Sequence, residues 1–314
     1  MTCVICLMVV FFSRSPEYVS IERREDSGDA KSPFNEGGRV IVRKDLNLGL
    51  TALPPFKHHI SHLVHAKKYN LAACLIPKAM STIMTAVLCF LNAPNAFRAA
   101  NRTFGTEKWP TRFCKDAIES FRVQEWAAKN NATDFTYFTI VREPISRFIA
   151  AFTDKCYYEP KKLNWVNCFD CGYDMECVIN SMWERYSAFA RGENVTLTYV
   201  DQHLIPITWN CEFSDMRGKY VIFDYAKQSS PQYNDFKWEF SKLLKRSNVS
   251  DELIGQVLDG LSKHSSPHTT ENKEERIRFE RELASKPHLL RKLVDIYYYD
   301  FVIFGYPIPP IAEL

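Results

Sequence analysis

The chain has 314 residues, 46% hydrophobic, 14% aromatic and 25% charged, with 40 basic side chains against 37 acidic ones. That much apolar material excludes a disordered or low-complexity protein, and the length suffices for one large core. A formal charge of +3 is too weak to mark a nucleic-acid binder, and no nucleic-acid partner is expected.

In chain order, the first feature is the apolar run Cys3 to Phe12, CVICLMVVFF. It is too short to span a bilayer, which needs about twenty residues, and reads as a signal h-region or the remnant of a signal anchor in segment 1–13. A buried strand is the structural alternative. Residues 14–55 are polar, charged and without period, which suits a stem or linker closed by Pro54-Pro55. From residue 56 to 314 apolar runs alternate with helical patterns, the signature of a single α/β domain with a largely parallel sheet.

Lys57 to Lys68 (KHHISHLVHAKK) holds four of the eight histidines. As a helix it would set His58, His62 and His65 on one face, where a solvated basic surface is favoured over a metal site. Leu71 to Ile76 then reads as a buried strand, and Ser81 to Leu91 as a helix with Ile83, Met84, Val87, Leu88 and Leu91 along an apolar stripe. Between them lies Pro77-Lys78-Ala79-Met80-Ser81-Thr82. A strand, a turn carrying lysine and hydroxyls opening a helix together suit a phosphate: the helix start offers unpaired N–H groups and the lysine a point charge. The Walker pattern G-x-x-x-x-G-K-[ST] is absent, and an ordinary serine cap beside an incidental lysine would give the same letters.

A second unit follows at Phe135 to Phe152. Phe135 to Val141 is a strand, Arg142 stands at its carboxyl end, and Pro144 suits the first turn of a helix running on from Ile145. Ligands of open α/β sheets bind beyond the carboxyl ends of the strands, so Arg142 is aimed at the same rim as Lys78. Its planar fork fits paired phosphate oxygens, or else a salt bridge.

Ten cysteines occur, five of them between Cys156 and Cys211. Cys168-Phe-Asp-Cys171 has zinc-type spacing but no second close pair, so disulfides in an oxidising compartment are the expectation, with no metal. Sequons at Asn101, Asn131, Asn194 and Asn248 point to the same compartment. Glu271 to Lys292 reads as an exposed helix of mixed charge, and Leu293 to Tyr306 as a helix end or strand closing the core.

The two turns together resemble the 5′-phosphosulfate and 3′-phosphate motifs of the Golgi carbohydrate sulfotransferases, in the branch that includes chondroitin 4-sulfotransferases and the HNK-1 sulfotransferase. Cys74, Pro77, Lys78, Ser81 and Thr82 match the first motif; Arg142, Glu143, Pro144, Arg147 and Phe152 match the second in spacing. His203 to Tyr220 and Asp300 to Tyr306 resemble two later segments of the family, so the likeness covers roughly residues 68 to 308. Glu143 stands for the usual aspartate, Ile83-Met84 for a Trp-Lys pair, and Ala150 for a serine, with Ser146 offering a hydroxyl one turn earlier on the same face.

The resemblance implies a P-loop-like sulfotransferase fold, a central mainly parallel sheet flanked by helices. It implies transfer of a sulfuryl group from 3′-phosphoadenosine 5′-phosphosulfate (PAPS) to a sugar hydroxyl of a chondroitin-type glycosaminoglycan or a glycoprotein glycan. Lys78 would neutralise the leaving oxygen, and Pro77 to Thr82, through the N–H groups of Ala79, Met80, Ser81 and Thr82, would hold the 5′-phosphate. Arg142 and Ser146 would hold the 3′-phosphate. His203 is the expected general base, with His264 and His268 as alternatives. The implied location is the Golgi lumen, with membrane anchoring through the N-terminus, or secretion as second choice. The competing readings are a sulfotransferase-fold protein that binds glycan without catalysis, favoured by Ala150, and a kinase-like nucleotide enzyme, for which a Gly-rich loop and Mg²⁺ carboxylates are missing.

Overall fold

The two apolar runs that read as strands are neighbours at the centre of a five-stranded sheet in a computed structural model that describes residues 51–59, 61–264, 270–271 and 273–310. The strands are β1 (His62–Ala66), β2 (Leu71–Leu75), β3 (Glu119–Ser120), β4 (Thr136–Val141) and β5 (Tyr220–Asp224), in spatial order β3-β1-β2-β4-β5. β2, β4 and β5 run parallel, with Leu71 opposite Thr136 and Cys74 opposite Thr139. β1 is antiparallel to both β2 and β3, so four of the five strands share one direction. The α/β architecture with a mainly parallel sheet is therefore as expected.

Eleven helices surround it among the described residues: α1 (Ser81–Asn92), α2 (Pro94–Ala99), α3 (Val123–Lys129), α4 (Pro144–Phe152), α5 (Met175–Arg191), α6 (Tyr199–Leu204), α7 (Phe213–Met216), α8 (Gln232–Arg246), α9 (Asp251–Lys263), α10 (Glu274–Ala284) and α11 (Pro287–Phe304). Every residue of α1 from Ile83 to Leu91 is buried, because the sheet covers one side and α2 and α9 the other. Such all-round burial explains why its sequence is apolar beyond a single stripe. In α4 the burial of Phe148 and Phe152 packs the helix onto α10 and α11; each contributes roughly 1.5–3 kcal/mol. No helix among the described residues is long and apolar enough to cross a membrane, and the run Cys3 to Phe12 lies outside them.

Two expectations change. Lys57 to Lys68 is not a helix: it contains β1, whose place between β3 and β2 buries both faces. His65 stacks on Trp126 at 4.7 Å, and burial, helped by the charge of Lys67, lowers its pKa to about 4, so it enters the core neutral. His62 bonds Glu119 at 3.2 Å. Glu271 to Lys292 is not a solvated helix: it contains α10 and the start of α11, and Arg276, Phe279, Leu283 and Leu289 are buried. Of the two forms expected for Leu293 to Tyr306, the structure has the helix end, which completes α11. Leu53, within the segment read as stem, is buried, and its N–H donates to the Asp295 carbonyl at 3.1 Å.

Four disulfides tie these parts together: Cys74–Cys211, Cys89–Cys114, Cys156–Cys168 and Cys171–Cys177. Cys168 and Cys171 thus have separate partners rather than a shared metal. Cys74–Cys211 closes the longest loop, 137 residues, for which chain entropy predicts about 5 kcal/mol of stabilisation. It also fixes the carboxyl end of β2, where the site begins.

Candidate functional site

Lys78 and Met80 both lie in the left-handed region, at φ 69° and 60°, so the chain reverses sharply between β2 and α1. The Ala79 N–H closes the turn on the Ile76 carbonyl at 3.1 Å. No side chain among the described residues caps α1, so the N–H groups of its first turn, around Ser81 and Thr82, keep their capacity for an acceptor. Two arginines on α4's approach and first turn hold this turn from behind. Arg147, fully buried, donates to the Pro77 carbonyl at 3.1 Å and the Ile205 carbonyl at 2.8 Å; Arg142 donates to the Lys78 carbonyl at 3.1 Å. Glu143 accepts from the N–H groups of Ile145 and Ser146 and so caps α4, a task that explains a carboxylate at this position.

The Arg142 guanidinium carbon sits over the Tyr225 ring, 4.0 Å from its centroid. Its Nε and Nη2 donate to Ser146 Oγ at 3.2 and 3.1 Å, and Nη2 of Arg276 donates to the same oxygen at 3.1 Å. A hydroxyl has two lone pairs, so three guanidinium N–H groups exceed what Ser146 can accept. Nη1 of Arg276 is buried with no hydrogen-bond partner among the described residues. Arg276 Nε pairs with Glu280 at 2.8 Å, so among the described residues the acceptors of this corner do not satisfy every guanidinium N–H. Burial lowers the pKa of Arg142, and the nearby Arg276 charge adds to that effect. An anionic oxygen cluster beside Ser146 would satisfy all of these groups at once. Because β2 and β4 are parallel neighbours, this corner and the Lys78 turn occupy one rim of the sheet.

The third part of the site grows from α4, which passes directly into a π-helical turn, Thr153–Tyr158. Such turns concentrate at functional sites because the wider spacing re-aims side chains. Here they are Asp154, which accepts from Lys78 Nζ, and Lys155, which donates to Glu159 and, at 2.6 Å, to the Tyr199 hydroxyl. Burial lowers the Lys78 pKa to about 8, against the opposing pull of Asp154. For Lys155 burial also pulls downward, but Asp154, Tyr199 and Glu159 outweigh it and raise the pKa, keeping the ammonium charged.

His203, half-buried on α6, reaches the Tyr199 carbonyl with Nδ1 at 2.8 Å. A carbonyl can only accept, so Nδ1 carries the proton and Nε2 the lone pair. Burial, then the charges of Lys155 and Lys78, push the His203 pKa well below 6.5, so the imidazole is neutral at physiological pH. A neutral ring with its lone pair on Nε2, within the field of two lysines, is equipped to take a proton.

The structure thus gathers Pro77, Lys78, Ala79, Met80, Ser81, Thr82, Arg142, Ser146 and His203. His264 instead ends α9, where its N–H bonds the Gly260 carbonyl, and His268 lies outside the described residues. Ala150, one turn beyond Ser146, is buried at 3% exposure. Sequence reasoning missed Asp154, Lys155, Glu159, Tyr199 and Arg276. The pair Asp154-Lys155 directly after an apolar helix was the one local signal.

Residues 61–307 match the model of the Sulfotransferase family. Three proteins of Caenorhabditis elegans are similar. Carbohydrate sulfotransferase chst-1 is 29% identical over 262 residues, which cover 82% of this chain and 79% of that protein. Uncharacterized protein C18B2.2 is 29% identical over 260 residues, covering 81% and 72%, and Putative sulfotransferase vep-2 is 28% identical over 225, covering 70% and 69%. No solved structure matches the chain.

Proposed function

The chain belongs to the sulfotransferase family, and from that membership we propose that it transfers a sulfuryl group from PAPS to a sugar hydroxyl of a chondroitin-type glycosaminoglycan. One observation carries this reading. Two regions suited to anions, the uncapped turn at Lys78 and the acceptor-poor corner at Arg142, Ser146 and Arg276, are joined by the Arg142–Lys78 hydrogen bond on one rim of the sheet. A nucleotide with phosphates at both its 5′ and 3′ positions suits such a pair.

PAPS supplies an activated sulfuryl group. Lys78 Nζ leaves Asp154 to neutralise the departing 5′-phosphate oxygen, and the first-turn N–H groups of α1 hold that phosphate. Arg142, Ser146 and Arg276 hold the 3′-phosphate and orient the nucleotide. His203 Nε2 takes the proton of the acceptor hydroxyl as its oxygen bonds to sulfur, and Lys155 balances charge between them. The protein's contribution is positioning and charge, as in other group transfers of this kind.

The lumen of the Golgi, with attachment through the N-terminal apolar run, is the proposed location. Four disulfides support an oxidising compartment, and all four sequon asparagines are exposed. Calorimetric titration with 3′-phosphoadenosine 5′-phosphate (PAP) tests the nucleotide assignment. One saturable site, with adenosine 5′-monophosphate binding far more weakly, is expected; equal affinity for the two would overturn the role of the 3′-phosphate corner.

A further inference from the structure

Between the π-helical turn and α5 the chain runs through residues 159–174, a loop without regular structure that two disulfides fasten at its base. Cys156–Cys168 closes one end and Cys171–Cys177 the other. Val166 and Cys168 point into the core, at 5% and 2% exposure, and the Val166 N–H bonds the Leu163 carbonyl at 3.1 Å. This anchoring leaves Trp165 facing outward with 61% of its surface exposed. An indole so placed loses the burial that a core position would give it, and isolated exposed aromatics are common. Trp165 is distinguished by what lies beneath it.

Its ring meets Tyr199 edge to face at 5.3 Å, and the Tyr199 ring meets His203 at 4.7 Å. The Tyr199 hydroxyl is the one that accepts from Lys155. An exposed indole therefore stands one aromatic ring away from the imidazole assigned as base, on a loop closed at its base by Cys156–Cys168. The loop around it, Pro160 to Asn167 (PKKLNWVN), carries two lysines and no acidic residue. Lys161 lies over the Tyr157 ring at 3.3 Å, and both Lys161 and Lys162 are exposed.

We propose that Trp165 is the stacking platform for a pyranose ring of the acceptor, and that Lys161 and Lys162 receive the carboxylate of the adjoining sugar, so that this loop selects an acidic glycan. The inference rests on the sulfotransferase reading for its acceptor, and adds where the glycan lies and which residues meet its ring and its charge. The C–H face of a pyranose packs against an aromatic face, while its hydroxyls stay in water at the rim; an exposed indole beside a reacting group suits it. Lys161, which feels the exposed Glu275 carboxylate of α10, and Lys162 give the ionic component, which salt should screen. Trp165 touches none of the groups assigned to the nucleotide, so its effect should fall on the acceptor alone.

The experiment uses the full chain and desulfated chondroitin hexasaccharide. In the parent protein the glycan should change tryptophan fluorescence without PAPS present. Trp165→Ala should abolish that change and raise the KM for the hexasaccharide at least tenfold, with kcat within about twofold and PAP affinity unchanged. Trp165→Phe should recover most of the KM. The double variant Lys161→Gln, Lys162→Gln should weaken glycan binding and flatten its salt dependence. An unchanged KM in Trp165→Ala, or an equal loss of PAP affinity, would overturn the platform. A Trp165→Ala protein that turns from dimer to monomer in sedimentation would overturn it too, by making the indole a contact between copies. If the parent binds PAP but gives no fluorescence response to the hexasaccharide, the acidic-glycan assignment fails and the nucleotide reading stands. If it binds the hexasaccharide but not PAP, the nucleotide reading fails and the platform stands.

Discussion

Arg276 offers a test in which stability and binding should move apart. Its guanidinium is buried with one nitrogen lacking a hydrogen-bond partner among the described residues, a second shared on the crowded Ser146 hydroxyl, and a third on Glu280, itself 45% exposed. Replacing it by methionine keeps most of the apolar stem and removes a buried charge that is incompletely paired. Little stability should be lost, and the variant should melt at or slightly above the parental temperature. Affinity for PAP should fall. One charge-assisted hydrogen bond is worth about 1.5–3 kcal/mol, which is roughly a ten- to a hundredfold rise in Kd. Calorimetry against PAP and a thermal melt without nucleotide provide the two readings. Adenosine 5′-phosphosulfate, which lacks the 3′-phosphate, is the control and should bind parent and variant alike. A lower melting temperature with unchanged PAP affinity would make Arg276 a structural residue and refute the argument.

Lys78→Ala should lower kcat by about 10²–10³ while leaving the fold intact, since the side chain's work is on developing charge; a variant keeping more than about half the parental turnover in a transfer assay would remove it from the mechanism. The pH dependence follows from the same residue: an anionic nucleotide prefers the protonated lysine, whose pKa in the free protein is lowered to about 8. PAP affinity should therefore hold below pH 8 and fall above it, by up to about tenfold per pH unit for one proton, and Lys78→Arg should flatten that slope in the same titration. His203, lowered well below 6.5, should put no inflection in kcat near that value; a fall of activity centred at pH 6.5 would show that its ring is not held neutral. Ser146→Ala should weaken PAP binding roughly tenfold or more by calorimetry, whereas Ala150→Ser should leave it unchanged, because Ser146 already occupies the corner where Arg142 and Arg276 meet. The reverse result would move the hydroxyl contact to position 150.

What could be read in advance was local. Each of the two strand–turn–helix units lies within about twenty consecutive residues, and its apolar run, its turn chemistry and, in the second, Pro144 point to the same boundaries. Lys78 and Arg142 follow because chain direction alone puts them on one rim. Arg276 is 130 residues from Ser146, inside a stretch whose alternating charges describe a solvated helix, and only the packing of α10 on α4 turns it inward. Lys155 and Tyr199 are likewise 44 residues apart, and the π-helical turn that brings Lys155 round has no signature in its letters. The histidines before Tyr69 misled for another reason. Their spacing fits a helix, but the interior position of β1 in the sheet buries residues on both faces, and imidazole can enter a core by giving up its proton. The cysteine run implied disulfides without their connectivity, since Cys211 pairs outside the run with Cys74.

The central claim, sulfuryl transfer, is tested most directly with ³⁵S-labelled PAPS, purified full-length chain and desulfated chondroitin. Label should pass to the polysaccharide, with one PAP formed for each sulfate transferred, and Lys78→Ala should abolish both. A preparation that binds PAP with the expected 3′-phosphate preference, yet moves no label to chondroitin or to any other glycan offered, would contradict the account and leave a nucleotide-binding protein without transferase chemistry.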